Sequence, residues 1–260
     1  MNSLVIALNT FREGIRKKIL IGLLLVALLV IGGSMFLTPL SAGEEIKIIK
    51  DVCLTSISIF GMLIAVFTSA SVVPNEVENK TIYTVLSKPL RRIHYLLGKF
   101  IGVQAIVLLN LALMTVLFLI MLFVRERMLS IVLIKSVFLT YFEMMILSSV
   151  TFIVSVVATS ATLPTICGVF IYIIGHLVDY LKNLSERASL GGHEIFGFII
   201  KIFYWCLPNL SNYNLRQELI NLSPGDPTVN VRFWALVSYA IISTLLAFVI
   251  TWWLFRRKEL

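Results

Sequence analysis

The sequence predicts an all-α integral membrane protein with six transmembrane helices. An amphipathic helix at the membrane surface precedes them, and a second short helix lies in a loop on one side. Three observations lead there. Only 14% of the 260 residues are charged while 58% are hydrophobic, and mean hydropathy is +0.96; a water-facing surface needs about a quarter charged residues. Six apolar runs are each about 20 residues long, enough to cross a hydrocarbon core of roughly 30 Å as helices. Period-two alternation of the kind that builds membrane barrels is absent from the sequence.

The elements follow in chain order. Residues 1–18 form an N-terminal interfacial helix and residues 19–260 the six-helix membrane domain. In the first, Leu4, Leu8, Phe11 and Ile15 recur at helical spacing, with Asn9, Arg12, Glu13 and Arg16 on the other side. A basic flank suits such a helix to the headgroup layer. The spans are predicted at 19–38, 52–73, 100–124, 136–159, 161–178 and 233–255. A seventh apolar stretch, 195–207, is short, holds Lys201, and reads as re-entrant or interfacial. The fourth and fifth spans are joined by a few residues around Ser160 and are close antiparallel neighbours. The region 181–232 is the largest outer piece, punctuated by Gly191-Gly192, Pro208-Asn209 and Pro224-Gly225-Asp226-Pro227.

Charge placement sets the expected orientation. Arg12, Arg16, Lys17 and Lys18 precede the first span, Lys80, Lys88, Arg91, Arg92 and Lys99 follow the second, and Arg256, Arg257 and Lys258 follow the last. Six spans bring all three clusters to one side, so both termini are expected in the cytoplasm of a multi-pass plasma (inner) membrane protein. Arg125 and Arg127 face the other way. The net charge of +8 is spread over helix ends instead of gathered in one patch, so no nucleic-acid partner is expected. Cys53, Cys167 and Cys206 are odd in number and set in apolar surroundings, which speaks for packing over disulfides or zinc. A cleavable signal peptide is not expected, because the stretch before the first run is too long and the run exceeds a signal core.

The loop at 74–99 is the densest polar stretch between two apolar runs. Pro74 is expected to end the second span, Asn75 to cap a new helix and Glu78 to complete a capping box. Glu76 and Glu78 favour the positive end of that helix. Val77, Ile82, Val85 and Leu86 form its apolar stripe, with Lys80 and Thr84 off it, and Ser87-Lys88-Pro89 stops it after about three turns. A rigid link between two spans suits a docking element that passes a push into the membrane.

The run EVENKTIYTVLSKPLRRIHYLLGKFIG at 76–102 resembles the loop of ABC-2-type transporter permeases. Its most telling residues are the LSKP, the pair Arg91-Arg92 and the Leu97-Gly98-Lys99-Phe100 start of the third span. NTFREGIRKKIL at 9–20 resembles that family's N-terminal elbow helix, and the six-span layout with a large outer region before the last span is similar too. The resemblance implies a coupling helix that docks on a separate ATP-binding-cassette ATPase subunit, through Glu76, Val77, Glu78, Asn79, Ile82, Val85, Leu86 and Lys88. It also implies a second permease copy, identical or related, and an exporter's direction of transport, but it names no substrate.

The chain carries no nucleotide-hydrolysing motif of its own. A phosphate loop needs GxxxxGK followed by Ser or Thr, whereas Gly98-Lys99 is followed by Phe100 and has Ile93 where the first Gly should stand. No cofactor and no metal is expected, since HExxH spacing is missing. Inside the spans, Glu143 is a candidate pathway or interface residue, because an ionised carboxylate in a bilayer is costly. Thr140, Ser148, Thr151 and Ser155 share its half of the helix. Asn110, Gly98-x-x-x-Gly102 and the small residues Ser56, Ser58, Gly61 and Ser69 read as helix-packing elements. The rival readings are an intramembrane enzyme built on His176, Asp179 and Tyr180, and a passive channel or scaffold. For the channel, no charge ring or filter-like Gly motif is visible.

Overall fold

A computed structural model describes residues 3–34, 45–78, 92–126, 131–190, 208–213 and 227–257. Among these residues the fold is all helical and contains no strand. The helices are α1 (Ser3–Ile15), α2 (Lys18–Gly33), α3 (Glu45–Ser71), α4 (Pro74–Glu78), α5 (Arg92–Glu126), α6 (Ile131–Val157), α7 (Thr162–Leu190) and α8 (Pro227–Arg257), with a 3-10 turn at Ser211–Tyr213. Four of them contain stretches long and apolar enough to cross a membrane: Ile48–Glu78, Arg92–Val124, Leu133–Val157 and Phe233–Arg257. Lys18–Gly33 and Thr162–Val178 are shorter apolar helices.

The helices overrun the apolar runs for a simple reason. Hydropathy marks where hydrocarbon ends, whereas a helix continues until its backbone is stopped. Thus α5 begins at Arg92, eight residues before the predicted span, and α7 runs on to Leu190, just short of Gly191-Gly192. Pro227 opens α8, at the first helical position where its missing N–H costs nothing.

The same rule corrects the expected start of the loop helix. Pro74 does not merely end the second span with Asn75 as cap. It occupies the first position of α4, after two turn residues, and the Val73 carbonyl accepts the N–H groups of Glu76 and Val77 at 3.1 and 3.2 Å. Asn75 therefore lies inside the helix. Residues 79–91, with Asn79, Ile82, Val85, Leu86 and Lys88, lie outside the described residues, as does the stretch 195–207.

Six helices, α2, α3 and α5 to α8, alternate in direction. At one end Lys17 meets Ser71, Glu76 meets Lys99, and Arg92 meets the Arg256 carbonyl. This is termed the basic end. At the other end Ser34 Oγ of the α2 cap lies 3.6 Å from Cys53 Sγ, and Leu210 N–H donates to the Gly175 carbonyl. α3 is central, packing on α2, α5, α6 and α7. Its last turn leaves carbonyls without helical partners, and Ser155 Oγ of α6 donates to one of them, Ala70 O, at 3.1 Å. A main core containing Ile64, Leu111, Phe118, Leu147 and Phe255 joins these helices. A smaller one holds Leu139, Ile146, Leu210, Tyr213, Leu236 and Ala240, so the 208–213 segment seals the far end of α6, α7 and α8.

α1 packs along α5 by a face other than the one its large aliphatics suggest. Ile6, Ala7, Thr10 and Gly14 are buried, whereas Leu4 and Leu8 are 69% and 51% exposed. Backbone proximity decides this. A Cβ on Gly98 would stand 2.6 Å from Ser3 O, one on Gly102 would stand 2.7 Å from Thr10 Cβ, and one on Gly14 would collide with Ile106. Small residues let the two backbones approach, and the large aliphatics Leu4 and Leu8 turn outward.

Candidate functional site: a charged hub and a half-buried stripe

Two constellations stand out, one at the basic end and one within the bundle. At the basic end, α4 turns Glu76 inward. Its Oε2 accepts a hydrogen bond from Tyr95 Oη, and its Oε1 pairs with Lys99 Nζ. Lys99 is only 3% exposed, and its ammonium also lies 5.9 Å from the centre of the Tyr95 ring. Tyr95 stacks on Phe255 near the end of α8 at 5.9 Å, and Arg92 Nη1 donates to Arg256 O at 3.3 Å. Lys17, between α1 and α2, donates to Ser71 Oγ at 3.0 Å and lies 3.8 Å from Glu13. Burial holds its ammonium below the usual lysine range, opposed by the Glu13 carboxylate.

Glu76 and Tyr95 thus clasp the 79–91 loop three residues before its start and four after its end. The clasp joins α4 to α5 and, through the Tyr95–Phe255 stack, to α8. Beside it a cleft of about 450 Å³ opens between the starts of α2 and α7, over a floor of Phe67 and Ser71, with Lys17, Asn75 and Glu78 at its rim.

From that cleft Thr165, Val169, Tyr172 and His176 ascend α7 at offsets of 0, 4, 7 and 11, all half-buried on one stripe. Tyr172 Oη meets Ser58 Oγ of α3 at 2.9 Å, and the Tyr172 and His176 rings pack at 4.4 Å. The stripe ends on Glu143 of α6, 2% exposed, whose Oε1 lies 3.3 Å from His176 Nε2. The nitrogen stands off the hydrogen-bond line, so Oε1 has no hydrogen bond among the described residues.

The other intramembrane candidates sit in packing contacts. Thr151 Oγ1 donates to Leu147 O and abuts Gly168, where α6 and α7 come close. Asn110 Nδ2 donates to Ile106 O in its own helix. The structure brings Glu143 to His176 but holds Thr151, Ser155 and Asn110 in separate contacts. Of the docking candidates, Glu76 points into the hub, Val77 packs against the main core and Glu78 is exposed.

Sequence reading missed Tyr95; it took Lys17 as a topology marker, and Lys99 as a topology marker and part of the family resemblance, without a role in a buried pair. The usable signal was helical spacing: Tyr95 and Lys99 are four apart and share a face. It also missed Gln104, buried in α5, which donates to Ser148 Oγ at 2.6 Å and leaves its Oε1 without a partner among the described residues.

No curated protein matches the chain. Among models of known families, one described as ABC-2 family transporter protein matches residues 4–260.

Proposed function

Because this chain belongs to the ABC-2 transporter family, we propose that it is a six-span permease subunit that converts work done on its 79–91 loop by a separate ATPase into movement of cargo across the membrane. The observation that carries this reading is the clasp: Glu76, Tyr95 and Lys99 fix both ends of the loop to the helices that must move. A loop so held passes displacement into α1, α5 and α8 instead of absorbing it. Both termini and the hub lie in the cytoplasm, where basic residues collect. Two permeases work with two ATPases, and transport runs outward.

The chain has no GxxxxGK[ST] loop, so the energy comes from the partner. Cargo passes along the half-buried stripe of α7, from the cleft at the basic end towards Glu143. ATP-driven closure of the ATPase pair rocks the permeases between two facing states of different cargo affinity.

The test is made in the assembled complex. Val85→Asp and Leu86→Asp are expected to insert normally yet lose ATPase association and transport-stimulated hydrolysis. Glu143→Gln is expected to keep the assembly and lose transport. Unchanged association and stimulation in both loop variants would overturn the docking role, and wild-type transport by Glu143→Gln would remove that residue from the path.

A further inference from the structure

Buried in the bundle, Glu143 and His176 meet roughly 21 Å from the basic end, fourteen residues from the end of α6 and the start of α7 respectively. What their contact requires follows from counting hydrogens. His176 Nδ1 lies 3.2 Å from the Tyr172 carbonyl. A carbonyl only accepts, so Nδ1 carries a hydrogen. A neutral imidazole protonated there presents a bare lone pair at Nε2, and Nε2 faces Glu143 Oε1 at 3.3 Å. Two acceptors at that distance repel each other, and one proton between them turns the repulsion into a hydrogen bond.

Among the described residues no neighbour donates a hydrogen bond to Glu143 Oε1; the side chains of Asp179 and Tyr180, three and four residues beyond His176, lie outside them. On α7 the Tyr172 hydroxyl is engaged with Ser58, which is what α3 presents here. The Tyr213 hydroxyl of the 3-10 turn donates to Leu236 O at 2.7 Å, and Tyr239 of α8 lies on the Tyr213 side. On α6 the nearest ionisable residues towards the far end are Tyr141, two residues away and packed against the main core, and Lys135, eight residues away. On α3 the nearest are Cys53, whose Sγ lies 3.6 Å from Ser34 Oγ, and beyond it Lys50 and Asp51, about two turns from Ser58.

We infer that Glu143 and His176 form a membrane-embedded binding site for a single proton, held between Oε1 and Nε2 and exchanged at the half-buried stripe of α7. The proton resides as a carboxylic acid donating to the imine nitrogen or as an imidazolium donating to a carboxylate. Both forms leave the pair with no net charge, as burial favours. Nε2 lies 3.3 Å from Oε1 but off its hydrogen-bond line, so sharing the proton requires the ring to turn. Release to water at the stripe leaves a carboxylate and a neutral imidazole, one net negative charge inside the bundle. The site stands apart from the docking reading, because it needs neither the loop nor an ATPase.

The test uses the full-length chain in lipid nanodiscs with 15N-labelled histidine. The sequence has three histidines, so His176→Gln assigns the signal. From about pH 5 to about pH 8, Nδ1 is expected to be protonated throughout. Either Nε2 is protonated as well, or the infrared spectrum shows a carboxylic-acid carbonyl band that shifts in deuterated water and is lost in Glu143→Gln. A bare Nε2 together with an ionised Glu143 across that range would overturn the site. So would an Nε2 signal that titrates identically in the wild type and in Glu143→Gln. Neither readout depends on transport, so failure of the permease reading leaves this result interpretable.

Discussion

At Lys99 a nearly inaccessible ammonium sits near the start of α5, and the Glu76 carboxylate beside it makes that tolerable. Breaking one partner of a buried ion pair leaves an uncompensated charge and costs about 3–5 kcal/mol, whereas replacing both by apolar groups costs far less. Glu76 retains some exposure, which places Glu76→Gln near the lower end of that range. The double variant Glu76→Met with Lys99→Met is expected to recover most of the loss. Tyr95→Phe removes one charge-assisted hydrogen bond, worth about 1.5–3 kcal/mol, while keeping the stack on Phe255. Thermal unfolding of the four proteins in detergent measures the coupling. A double variant no more stable than Glu76→Gln alone would show that Glu76 and Lys99 do not act as a pair.

Between α1 and α5 the determining feature is what is missing from three side chains. Gly98 and Gly102 face Ser3, Ile6, Ala7 and Thr10, and Gly14 faces Ile106. The sequence marked Gly98-x-x-x-Gly102 as a packing element, but a pattern of two glycines four apart is common and does not say which helix it receives. The apolar stripe was legible on α1, but its use was not, because Leu4 and Leu8 are large enough to keep a neighbouring backbone away. Gly102→Val places branched carbons against the Ala7 carbonyl and Thr10, an overpacking worth about 1–3 kcal/mol. It is expected to lift α1 from α5 without unfolding the bundle. With the native cysteines replaced, Ala7→Cys should react slowly with a maleimide in the parent and many-fold faster once Gly102→Val is added. Equal rates would mean that the glycines do not hold α1.

For the molecule as a whole, composition made the all-helical membrane class legible, and charge at helix ends marked one end as basic. The hub and the Glu143–His176 contact were not legible, because each joins residues far apart in sequence: Glu76 with Lys99, and Glu143 with His176. Nothing in local periodicity pairs them. α8 gives a way to place the whole bundle in its bilayer. Its exposed face runs through Ile242, Leu246 and Val249 and carries Trp234 and Trp253, 69% and 48% exposed, near its two ends. Nineteen residues of helix separate those indoles by roughly 28 Å, close to the thickness of a hydrocarbon core. Indoles favour the two interfaces, and Arg257 lies 3.7 Å over the Trp253 ring, as at a headgroup boundary. This frame puts Phe255, and with it Tyr95 and the charged hub, at one interface. Single-tryptophan variants retaining Trp234 or Trp253 test it by fluorescence quenching with lipids brominated at different chain depths. Both are expected to be quenched most by shallow bromines and least by bromines near the bilayer centre. Strong central quenching of either indole would mean that α8 does not cross the bilayer with its tryptophans at the two faces.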